Sequence, residues 1–167
     1  MATFTTGNFI RHDDYMTPKY VWENIKDYIP KDKVIYEPFY GDGKSGEYLR
    51  ELGFDVIHEP IDFFEEDHGE IIVSNPPFTK KKEVFTRLKQ LEKPFIVICP
   101  SSMLNTKYIR ELFANDDRFQ IIVPCGRINF VKLVDGEVPD GWSDRCNFDC
   151  LYYCWKIGLD RDITWLV

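Results

Sequence analysis

The chain has 167 residues, enough for one domain with a packed core and too few for two ordinary ones, so catalysis and target binding are expected to share a single unit spanning 1–167. Its 44% hydrophobic and 16% aromatic content is that of a globular protein, and no apolar run approaches the roughly 18 residues of a membrane span. A net charge of −7 excludes a uniformly basic nucleic-acid-binding surface, so any grip on phosphate has to be local.

The opening "MATFTTGNFIRHDDYM" lacks the apolar stretch of a secretory signal, and the five cysteines are scattered without C-x-x-C spacing. An intracellular setting is expected, cytoplasmic or in a host nucleoid or nucleus, with no metal site. "TPKYVWENIKDYI" predicts a leading helix, with Pro18 at its start and Val21, Ile25 and Ile29 on one face. "KVIYEP" then reads as a strand, "GEYLRELG" as a short helix closed by Gly53, and "FDVIHEP" as a second strand. After "IDFF", Glu70 to Ser74 read as a buried strand, "KKEVFTRLKQL" as a helix and "PFIVICP" as another buried strand. "TKYIRELFAN" predicts a further helix, while "FQIIVPCGRINFVK" and "CNFDCLYYCWKI" read as late strands around a Gly-, Pro- and Asp-rich surface loop, "LVDGEVPDGWSDR". Cys146, Cys150 and Cys154 recur every four residues but lie in this strand-like, aromatic segment. Alternating strands and helices predict an α/β fold, a Rossmann-like doubly wound and mostly parallel sheet, with functional turns at the carboxyl ends of strands.

"VIYEPFYGDGKSGEYL" admits three nucleotide-binding readings. Gly43-Lys44-Ser45 resembles the end of a P-loop, but the glycine required five positions before Gly43 is Pro38, which supplies no backbone N–H to a phosphate. Gly41 to Gly46 match the dinucleotide pattern G-x-G-x-x-G, with Glu59 after the second strand as the acid for ribose hydroxyls. The third reading is an S-adenosylmethionine turn. Glu37 and Asp42 would repel a pyrophosphate and suit the sulfonium and ammonium groups of S-adenosylmethionine, so electrostatics favour the third.

Asn75-Pro76-Pro77-Phe78 follows a buried strand and precedes a helix. In this context the chain resembles the amino-group methyltransferases, whose (D/N/S)-P-P-(Y/F) motif follows a strand of the sheet, and is similar to the small viral and phage-type N6-adenine DNA methyltransferases in adding almost nothing to the core. "DDYMTP" looks like their N-terminal cofactor segment, "EPFYGDG" like their D-P-F-x-G-x-G loop, with Glu37 where Asp is more usual, and "DFF" like the segment before the catalytic strand. The resemblance implies the class I methyltransferase fold with an antiparallel late strand, S-adenosylmethionine as methyl donor, and transfer to the N6 amine of an adenine flipped out of DNA. Thr17 would hold the methionyl carboxylate, Glu37 and the Gly41 to Gly43 turn would surround the methionine portion beside Phe39 and Tyr40, Glu59 would bind the ribose, Asp62 and Phe63 would meet the adenine, and Asn75 would face both donor and target.

The target amine is a poor nucleophile because its lone pair is delocalised into the ring. Acceptors aimed at its protons, the Asn75 side-chain oxygen and the Pro76 carbonyl, would draw it toward tetrahedral geometry, while Phe78 offers the base a flat face worth roughly 1 to 3 kcal/mol. Lys80, Lys81, Arg127 and Lys132 are candidate phosphate contacts; Phe130 either touches the extruded base or belongs to the core of an edge hairpin. Lys82, Arg87 and Lys89 read as a solvated helix face, and His12, His58 and His68 as surface residues. Thr17-Pro18 also fits a plain helix cap. No separate target-recognition domain is visible, so a protein partner or a homodimer is expected to help hold DNA, with RNA as the alternative polymer. RNA adenine and a protein glutamine amide remain alternative targets, and a catalytically inactive cofactor-binding subunit is a further alternative.

Overall fold

The runs Ile71–Ser74 and Phe95–Pro100 are apolar on both sides of the pleat, as strands covered on both faces must be. They lie at the centre of a seven-stranded sheet in the computed structural model of the chain, which describes residues 15–132 and 149–167. In chain order the elements are β1 (Tyr15–Met16), α1 (Lys19–Glu23), β2 (Ile35–Tyr36), α2 (Lys44–Glu51), β3 (Val56–Ile57), β4 (Ile71–Ser74), α3 (Lys81–Leu91), β5 (Phe95–Pro100), α4 (Lys107–Phe113), β6 (Phe119–Val123), β7 (Val131–Lys132), β8 (Cys150–Trp155) and β9 (Ile163–Trp165). The sheet order is β3-β2-β4-β5-β8-β6-β9, and every neighbouring pair is parallel except those that β8 makes with β5 and β6. The protein is therefore α/β, with a mostly parallel sheet and one late antiparallel strand.

Successive side chains divide this sheet between two apolar layers. Ile71, Val73, Ile96, Ile98, Tyr152 and Cys154 point to one face, where Val21 and Trp22 of α1 and Leu49 of α2 cover them. Ile72, Phe95, Val97, Tyr153 and Trp155 point to the other, under Val84, Phe85 and Leu88 of α3 and Ile109 and Phe113 of α4. Arg87 and Lys89 do not belong to a solvated face as expected. Arg87 Nε donates to the Phe63 carbonyl at 3.2 Å, and Lys89 Nζ donates to the Leu112 carbonyl and to Asp116, each at 2.8 Å.

The functional geography follows from chain direction. β2 leads outward through α2 to β3, whereas its neighbour β4 leads the opposite way through α3 to β5. The connections leaving β2 and β4 therefore run in opposite directions, and the carboxyl ends of these two strands form the switch point at which open α/β sheets bind their ligands.

Three features depart from the sequence expectation. The leading helix stops at Asn24, and a 3₁₀ turn at Lys26–Tyr28 follows, because Ile25 (φ −116°, ψ 5°) leaves the helical region; Ile25 and Ile29 are buried all the same. β1 pairs with β7 across more than a hundred residues, and β9 adds an edge strand beside β6. His12, the Asp13-Asp14 part of "DDYMTP", Cys146 and the loop "LVDGEVPDGWSDR" lie outside the described residues. Among the described residues no helix is long and apolar enough to cross a membrane.

Candidate functional site at the ends of β2, β3 and β4

The turn after β2 has its backbone committed to glycine at two positions. Gly41 and Gly43 have φ of +57° and +80°, a region that disfavours any side chain. A Cβ would in addition stand 3.0 Å from Met16 Sδ at Gly41 and 2.9 Å from Tyr40 Oη at Gly43. The Gly43 N–H donates to the Tyr40 carbonyl at 2.9 Å, and the Lys44 N–H to Asp42 Oδ1 at 3.0 Å, so the turn closes on itself and delivers Gly43 as the N-cap of α2. Phe39 is buried against Phe63, ring centroids 5.3 Å apart, and Tyr40 is half-buried.

Glu37, the acid of that turn, faces inward. It is 1% exposed, and its Oε1 accepts from the Ser74 hydroxyl at 2.6 Å and the Phe39 N–H at 3.0 Å, with a further bond from the Asn75 backbone. Burial pushes its pKa up to about 8, with the three donors pulling the other way. Glu37 thus joins the glycine turn after β2 to the end of β4. Asn75 is anchored on its other side: its Nδ2 donates to the buried Thr17 Oγ1 at 2.9 Å, which turns the amide oxygen away from Thr17. Thr17 is not the helix cap that the sequence allowed, since Pro18 holds the cap position of α1 and no side chain bonds there. Three segments far apart in sequence, at Thr17, Glu37 and Asn75, are drawn into one hydrogen-bonded unit.

Pro76 and Pro77 are buried, and Phe78 is half-buried at the start of a short 3₁₀ turn, Phe78–Lys80, that runs into α3. Lys80 and Lys82 are exposed and Lys81 is half-exposed, a basic stretch directly after the motif. Phe130 is fully buried, its ring edge-on to Phe78 with centroids 6.2 Å apart. Of the two sequence alternatives for Phe130, this is the core one, and Phe130 acts as backing for Phe78. Arg127 is exposed and its Nε donates to Asp149 at 2.8 Å.

On the β3 side Glu59 is exposed just past the strand end. Asp62 Oδ1 accepts from the Phe64 N–H at 2.9 Å, closing a local turn. Phe63 is the core member of the aromatic pair, 1% exposed, whereas Phe64 is half-buried. His58 is not a surface residue: it is 4% exposed, its Nδ1–H donates to the Glu37 carbonyl at 2.8 Å, and its ring stacks on Tyr40 at 5.0 Å. Burial holds its pKa below the ordinary value, against the pull of the Glu37 and Tyr40 backbone, so the imidazole is neutral. His58 and Ser74 are the contributors that sequence reasoning missed. Their partners lie 21 and 37 residues away, and no local pattern marks them. Comparison with protein-family models and with curated proteins finds no match to either.

Proposed function

We propose that the protein transfers a methyl group from S-adenosylmethionine to the N6 amine of adenine in DNA, on a Rossmann-like methyltransferase architecture. The observation that carries this reading is the Thr17–Asn75–Ser74–Glu37 unit, which ties the NPPF segment to the glycine turn at the switch point of the sheet. The donor set fits a cationic ligand better than a pyrophosphate. Met16 and Tyr40 pack closely on the bare backbone of Gly41 and Gly43, and the exposed carboxylates at the strand ends are those of Asp42 and Glu59, while Glu37 ties the turn down from within. S-adenosylmethionine supplies an electrophilic methyl group on a sulfonium.

The chain's own residues do the rest. Thr17 orients the Asn75 amide; Asn75 Oδ1 and the Pro76 carbonyl accept hydrogen bonds from the two N–H groups of the target amine as it becomes tetrahedral. The N–C bond would form as the methyl–sulfur bond breaks, and the one surplus amine proton would pass to solvent. Phe78, backed by Phe130, walls the base, and alignment of amine and methyl supplies much of the rate. Lys80, Lys81 and Lys82 offer charge to a nucleic-acid backbone beside the motif.

The test is transfer of labelled methyl to DNA, RNA and protein side by side, with nucleosides then separated to locate the label. Label in N6-methyladenosine from RNA, or in protein, moves the target class; label in none overturns the reading. Asn75→Ala removes an acceptor needed only when the amine is present, so turnover is expected to fall about 10²- to 10³-fold while affinity for S-adenosylhomocysteine changes little. Near-normal turnover in that variant would refute the role of Asn75.

A further inference from the structure

We propose that His58 is a positioning residue: its imidazole fixes the main chain of the Glu37–Gly43 turn to the end of β3, and so sets the gap between the glycine turn and Glu59. The consequence for ligand binding rests on the functional reading above; the hold on the turn does not. β2 and β3 are joined by parallel ladder bonds, Ile35 N–H to the Asp55 carbonyl at 2.8 Å and Glu37 N–H to the Ile57 carbonyl at 3.0 Å. β3 ends there, and the Glu37 carbonyl is taken by a side chain, His58 Nδ1–H at 2.8 Å. The ladder is extended by one bond while the main chain is free to leave, which carries Glu59 to the surface. Pro38 follows Glu37, so the peptide between them has no N–H to tie this carbonyl's neighbour down.

The ring has little room for another orientation. Tyr40 lies on one side with an interplanar angle of 27°, and on another is Gly46 in the first turn of α2, where an added Cβ would stand 2.6 Å from His58 Cβ and Cδ2. One imidazole thus contacts the end of β2, the aromatic residue of the glycine turn and the start of the helix that the turn leads into. Because a carbonyl only accepts, the neutral ring carries its proton on Nδ1. A histidine that merely filled the core would be replaceable by leucine without effect on the turn. A histidine that works through its Nδ1–H is replaceable by asparagine, whose amide nitrogen reaches nearly the same place.

The experiment compares wild type, H58N, H58L and G46A by amide hydrogen exchange at Gly43 and Lys44, by ¹⁵N resonances of the imidazole, and by calorimetry with S-adenosylhomocysteine. Wild type should show the Nδ1–H tautomer. H58L should speed exchange at the turn about tenfold and weaken ligand by a similar factor, whereas H58N should stay within about threefold of wild type in both. G46A, which removes no hydrogen-bonding group, should shift the turn in the direction of H58L by displacing the ring. An Nε2–H tautomer, or H58L exchanging like wild type, overturns the assignment. If wild type binds no S-adenosylhomocysteine, the functional reading fails, and tautomer and exchange alone decide whether His58 holds the turn.

Discussion

A carboxyl group that folding removes from water keeps either its proton or its charge, and for Glu37 the balance can be read from stability. Its pKa rises from about 4.5 in the unfolded chain to about 8 in the fold, burial outweighing the donors from Ser74, Phe39 and Asn75. Between those values the folded state holds a proton that the unfolded state has lost, so stability is fullest below the lower value and falls as pH rises, by up to roughly 1.4 kcal/mol per pH unit. Glu37→Gln has no such proton to lose. Urea unfolding at pH 5, 6.5 and 8 should show the variant gaining on wild type at each step, and parallel profiles would mean that Glu37 is ionised throughout. The sequence presented Glu37 as a ligand for a cationic cofactor. Its orientation depended on Ser74, a residue whose hydroxyl is uninformative until β4 is known to lie beside β2.

At the scale of elements, the edge of the sheet opposite the candidate site is held by one carboxylate. Asp116, between α4 and β6, accepts from Lys89 Nζ at 2.8 Å, from Arg118 Nε and Nη2 at 3.0 Å and from Trp155 Nε1 at 3.0 Å. The Arg118 bonds, and then that from Lys89, hold its carboxyl well below the usual carboxylate range. Its contribution is present at neutral pH and disappears as pH falls below the ordinary aspartate value, on the opposite side of the profile from Glu37. Asp116→Ala leaves the Lys89 ammonium and the Trp155 N–H without this acceptor, so a loss of about 2 to 4 kcal/mol is expected in chemical denaturation. Ligand affinity at the far edge should not change, and a change in affinity comparable to the loss of stability would show that the two edges are coupled. Elements differed in how legible they were. α3, β5 and α4 lie within or at the expected runs because their apolar periodicity is long enough to identify them. β1 and β9 are two or three residues long and exist through distant pairing, which no local window contains, while of the run 119–132 read as strand only the two ends, β6 and β7, are strand. Asp116 was equally hidden, since Lys89 and Arg87 fit an exposed helical face until α4 is packed beside α3.

For the molecule as a whole, the −7 charge and the acidic neighbours of its basic side chains govern how it meets a polyanion. The motif was legible because NPPF is contiguous; the grip on the target was not, because it depends on which charges the fold neutralises. Arg127 is such a case: its guanidinium is turned to Asp149, both side chains are exposed, and the pair sits near the chain that carries Phe130 to the back of Phe78. A phosphate competes with Asp149 for Arg127, so the pair weakens any contact that Arg127 makes with nucleic acid. Asp149→Ala removes the competitor and one negative charge together, and should strengthen binding at low salt and steepen the fall of log affinity with log salt by about one. Arg127→Ala should do the reverse across all sequences, and in the double variant the effect of losing Asp149 should shrink to that of its bare charge. Binding measured by fluorescence anisotropy from about 50 to 200 mM salt separates these cases. If all three variants share the wild-type slope, Arg127 makes no phosphate contact, and the grip passes to Lys80, Lys81 and Lys82 beside the motif or to a partner protein.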